Sequence, residues 1–136
     1  MVKKLFFILI IVFAVSTAAV LLRKNTLPRT FTLNVSSDLT SSGGDRTYAA
    51  SIKFQNGELV NGVSRYVANP GDGGHFTYDC VAKGPTWVYA DSLATCDIPV
   101  SIPLTRLALE REITGGNMKP MKQCGHLDIC YEIIPE

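Results

Sequence analysis

Residues 47–67 read "TYAASIKFQNGELVNGVSRYV", and this stretch decides how the chain is built. Tyr48, Ala50, Ile52 and Phe54 fall at every second position, with polar or small residues between them. A period of two puts the four on one face of an extended strand, which predicts a half-buried strand. Asn56-Gly57 follows at once. Both residue types accept positive φ, so the pair suits the tight turn of a β-hairpin. The return strand is expected from Leu59 to Val67. It contains a second Asn-Gly, at 61–62, and two turns cannot share one uninterrupted strand. One pair is therefore the turn and the other a bulge. Alternation stops at Phe54, which favours the turn at 56–57.

The pattern extends outward from this hairpin. Upstream, "TFTLNVSS" (30–37) alternates with Phe31, Leu33 and Val35 on one face, and 38–45 reads as a polar loop. Downstream, "ANPGDGG" (68–74) is a glycine-rich loop, and "HFTYDCVA" (75–82) is a strand with Phe76, Tyr78 and Cys80 sharing a face. Gly84-Pro85 turns the chain into "TWVYAD" (86–91), and 92–100 is irregular. "SIPLTRLALEREITGG" (101–116) predicts the one helix of this region. Ser101 would cap it, Pro103 is tolerated in a first turn, and Leu104, Leu107 and Ala108 form an apolar stripe. Gly115 and Gly116 suit its end. "HLDICYEIIPE" (126–136) closes the chain as a strand with Leu127, Ile129, Tyr131 and Ile133 on one face. The expected fold class is α+β: an antiparallel sheet of five to six strands packed with one helix.

The first 24 residues differ from the rest. Residues 5–22, "LFFILIIVFAVSTAAVLL", carry no charge over 18 positions and are flanked by Lys3-Lys4 and Arg23-Lys24. In helical rise such a run covers about 27 Å, close to the hydrocarbon thickness of a bilayer. The reading is a transmembrane signal-anchor at 1–24 that contacts the membrane through residues 5–22. A short tether follows at 25–29, and then an extracytoplasmic domain at 30–136. The same stretch has the basic start and small residues of a cleaved secretory signal, which gives a secreted protein as the alternative. Flanking charges are nearly balanced, so the cysteines decide the side: four in a small domain suit an oxidising compartment.

Four of the 13 basic residues lie in the N-terminal segment, leaving nine against 12 acidic residues beyond it, a net charge of −3. A mildly acidic, mixed surface has no electrostatic footprint for nucleic acid.

The cysteines are 80, 96, 124 and 130, with 15 residues between the first two and five between the last two. Neither spacing matches the close pairs of a four-cysteine zinc site. They read as disulfides. Residues 127–130 look extended, so a bond closing Cys124 on Cys130 would overreach disulfide geometry. The favoured pairing is Cys80–Cys130 with Cys96–Cys124, and the second choice is Cys80–Cys96 with Cys124–Cys130.

Little else carries chemistry. His126 and Asp128 share a strand face and resemble a base with an orienting carboxylate, but no nucleophile is placed beside them. His75 opens a strand next to the glycine-rich loop. No nucleophile elbow, zinc-protease helix or phosphate-binding loop occurs. "PGDGG" lacks the carboxylate spacing of a calcium loop. Asn34-Val35-Ser36 fits a glycosylation sequon. Tyr66, Phe76, Tyr78, Trp87, Tyr89 and Tyr131 are expected mainly in the core rather than on a binding face. Arg106 and Glu110 are spaced for a helical ion pair. No catalytic residue, metal or cofactor is assigned. The expected function is a membrane-anchored binding or structural domain with an unidentified protein partner, the alternative being a small secreted enzyme or inhibitor.

Overall fold

The structure is a computed structural model that describes Ile8 and residues 27–39, 44–71, 73–98, 100–121 and 127–136. Seven strands form one sheet. They are β1 (Phe31–Asp38), β2 (Gly44–Gln55), β3 (Glu58–Pro70), β4 (Phe76–Lys83), β5 (Thr86–Tyr89), β6 (Lys119–Pro120) and β7 (Ile129–Pro135). One helix, α1 (Arg106–Thr114), lies between β5 and β6. The spatial order is β5-β4-β3-β2-β1-β7-β6. Every neighbouring pair is antiparallel except β6 and β7, which run parallel.

This corrects the expected α+β fold class. The sheet is larger than five to six strands, and its helix is only nine residues long. Such a helix rises about 14 Å, under half of a bilayer core. Among the described residues no helix is long and apolar enough to cross a membrane. The transmembrane signal-anchor and the single-pass localisation built on it are corrected accordingly. All of residues 1–26 but Ile8 lie outside the described residues, and so does the apolar run they were read from. Leu27, placed in the tether, belongs to the core at 6 % exposure.

The β2–β3 hairpin turns at Asn56 (φ 55°) and Gly57 (φ 88°). Its tip is held by the chain entering β1: Gly57 N donates to Arg29 O at 2.7 Å, and Asn56 N to Thr30 Oγ1 at 3.2 Å. The second Asn-Gly is no turn. Lys53 pairs with Asn61 and Phe54 with Leu59, so Val60 is the extra residue of a bulge. Gly62 beyond it is buried. A Cβ there would meet Ala82 Cβ at 2.8 Å and Trp87 Cη2 at 3.3 Å. The glycine leaves space for the indole.

Alternation then builds a core on one face. Phe31, Leu33 and Val35 stand opposite Phe54, Ile52 and Ala50, all buried, and Phe31 stacks on Phe54 with centroids 5.1 Å apart. Tyr48, Tyr66 and Cys80 continue that face across β2, β3 and β4.

What covers this face differs from the expected helix. Ile98, Val100, Ile102 and Leu104 are all buried at a period of two, so the segment crosses the core extended, not coiled. Ile98 and Ile102 each precede a proline, which disfavours helical angles. Trp87 Nε1 donates to Ile102 O at 2.8 Å and fixes the segment in place. The helix begins only at Arg106 after Thr105 and buries Leu109, while Leu107 is 61 % exposed. The stripe of Leu104, Leu107 and Ala108 therefore does not form. Arg106 Nε does meet Glu110 at 3.1 Å, and its Nη2 also donates to Leu27 O. The cover stops short of the far end of β4. Tyr66 and Trp87 are core residues, but Phe76 (50 %) and Tyr78 (39 %) are exposed.

Candidate functional site

On the opposite face of the sheet, between the middles of β1 and β4, no described element forms a cover. Antiparallel register brings its side chains into two rows. Asn34, Ser51, Val63 and Val81 face one another in the first, and Ser36, Ala49, Arg65 and Asp79 in the second. Three strand spacings give a floor about 14 Å wide. The floor residues are short and leave a trough of about 660 Å³, with Met121 overhanging it. Met121 Sδ sits 3.5 Å from Ser36 Oγ. The volume lies in the range of small-molecule pockets.

The trough has two characters. Towards β3 and β4 it is apolar, with Val63 46 % exposed beside Val81. Towards β1 and β2 it offers Asn34, Ser36 and Ser51. The side chains of Asn34 and Ser51 bond to no other described residue. Charge closes one end as a pair. Arg65 Nε and Nη2 donate to the two carboxylate oxygens of Asp79 at 2.7 and 3.0 Å. These hydrogen bonds and the guanidinium charge hold the Asp79 carboxyl below its ordinary range. Lys53, two residues beyond Ser51 on the same face, meets Glu136 at 2.8 Å. The Lys53 bond, helped by Thr32, lowers the Glu136 carboxyl likewise.

Cys80 is joined to Cys96, with Cα atoms 6.4 Å apart. The favoured Cys80–Cys130 pairing is thereby corrected. Cys130 sits on β7 opposite Ser36, four strand spacings or about 19 Å from β4, too far for a disulfide. Cys96 comes within reach because the chain doubles back after β5: Val88 bridges to Thr95, and Cys96 N donates to Trp87 O at 3.0 Å. Cys130 is disulfide-bonded too, and Cys124 lies outside the described residues.

The other sequence candidates do not assemble. His126 lies outside the described residues, and Asp128 accepts from Lys119 Nζ at 2.8 Å. His75 stands between Asn69 Oδ1 and Thr77 Oγ1, the latter 3.3 Å from its Nε2. All three of those side chains are exposed, which leaves the hydroxyl in competition with water. Among the described residues no group of three metal-binding side chains occurs. In the sequence the trough positions appear only as the outward face of alternating strands. Their signal is the run of short, uncharged residues there: Asn34, Ser36, Ala49, Ser51 and Val63. No family model matches the chain, and neither the curated proteins nor the solved structures contain a match.

Proposed function

We propose that this chain is a non-catalytic binding module, and that the trough across β1–β4 is its ligand site. The observation that carries this reading is a 660 Å³ concavity, lined largely by carbon, in the middle of a sheet face that no described element covers. A solvated face normally presents long charged side chains, and here the centre is stripped of them while the ends keep paired ions. The Cys80–Cys96 link supports maturation in an oxidising setting. Nothing in the arrangement activates a nucleophile, which weighs against the enzyme alternative.

Phenylnaphthylamine, dark in water and bright in apolar surroundings, tests the site. Saturable brightening is expected with the native chain. Ala49→Trp, which places an indole on the floor, should cut affinity by about tenfold or more with circular dichroism unchanged. Undiminished binding in that variant, or no saturable binding at all, would overturn the assignment.

A further inference from the structure

The lining of the trough also says what kind of molecule it takes. Arg65 and Asp79 are its only charged residues among those described, and they chelate each other. Two of the N–H donors of Arg65 are committed to Asp79, so an anion using the others would still face the carboxylate. A cation meets the mirror-image obstacle. Moving an ion out of water without a free counter-charge is strongly unfavourable. The polar edge, by contrast, is open: Asn34 and Ser51 keep their side-chain hydrogen-bonding capacity unused within the described structure. Opposite them stand Val63 and Val81.

We infer that the trough takes an uncharged small molecule with an apolar body and a hydrogen-bonding edge. The body lies on Val63 and Val81 and the edge meets Asn34 and Ser51. The paired Arg65 and Asp79 act as the specificity element that rejects ions. This inference rests on the trough being the ligand site.

Two fluorescent compounds with a common skeleton separate the claims. Phenylnaphthylamine is neutral, and anilinonaphthalene sulfonate adds one negative charge. The native chain should bind the neutral compound about tenfold more tightly than the sulfonate. Asp79→Asn releases Arg65 from its partner. It should shift the preference between the two compounds towards the sulfonate by about tenfold. Asn34→Ala should weaken the neutral compound severalfold, since its amine loses an acceptor. Equal binding of both compounds by the native chain, abolished in Ala49→Trp, would overturn charge rejection while the site stands. An Asp79→Asn variant with unchanged preference would do the same. Failure of both compounds to bind would overturn the site and the inference together.

Discussion

A methyl group at position 62 has nowhere to go. It would sit 2.8 Å from the Ala82 methyl and 3.3 Å from the Trp87 ring, and the indole is pinned by its bond to Ile102 O. Gly62→Ala should therefore cost about 1–3 kcal/mol by overpacking. It should lower the urea midpoint at constant slope. A change within error would mean that the indole yields freely. Tyr48 shows the opposite condition, a group with too few partners. Its hydroxyl is buried near Ser64, a diagonal neighbour on the same face, and neither hydroxyl meets the geometry of a full hydrogen bond. Burial pushes the phenol up to about 12, with Ser64 offsetting a little. The folded chain then holds this proton after the unfolded chain has released it near pH 10, so stability falls as pH rises from about 10 to about 12. The full loss is about 2–3 kcal/mol. Tyr48→Phe removes that alkaline limb and should change neutral stability by under about 1 kcal/mol, because no bond is lost. Urea unfolding at pH 8 and pH 11 checks both, and an alkaline limb unchanged in the variant would refute the assignment to Tyr48.

Elements in this fold are held by what crosses them. Cys80–Cys96 ties β4 to the return leg that leads into the extended cover at 98–104. Replacing both cysteines by alanine should cost about 3 kcal/mol for a loop of this length. The loss should appear as a lower urea midpoint that reducing agent does not lower further through this pair. The strands themselves were legible. Phe31 to Val35 and Tyr48 to Phe54 bury every second residue, because a period of two survives wherever one face is dry. Asn56-Gly57 was legible as a turn because its chemistry is local. The cover was not. "IPVSIPL" offers a strand period and a helix spacing at once, and Pro103 is admissible at a helix start. The extended form wins because Ile98 and Ile102 precede prolines and because Trp87 bonds to Ile102 O, a partner 15 residues away. The cysteine pairing failed for a related reason, since it depends on which strands become neighbours.

At the scale of the whole molecule, both sheet edges are short. β5 has four residues and meets a returning bridge at Thr95, while β6 has two. Pro135 ends β7 without a backbone N–H to offer. Such edges discourage strand addition, and the trough lies on the sheet face that no described element covers. Alternation cannot reveal this, because an outward residue reads the same on a convex face as on a concave one. The concavity depends on short floor side chains and on the overhang of Met121, which lies far away in sequence. The floor belongs to four strands joined by continuous ladders, so it is formed before any ligand arrives, and occupancy should add its binding energy to folding. At a hundredfold excess over Kd, phenylnaphthylamine should stabilise the chain by about 2.7 kcal/mol. For a chain of this size that raises Tm by several degrees, measurable by calorimetry. At the same concentration Ala49→Trp should show about half that rise or less. Cys96→Ala, which breaks the link but keeps Cys80 in the trough lining, should melt lower yet rise by the same increment, because no floor side chain belongs to the cover that the disulfide secures. An increment that vanished with the disulfide would place the binding surface on the core-facing side, under the cover, and not in the trough.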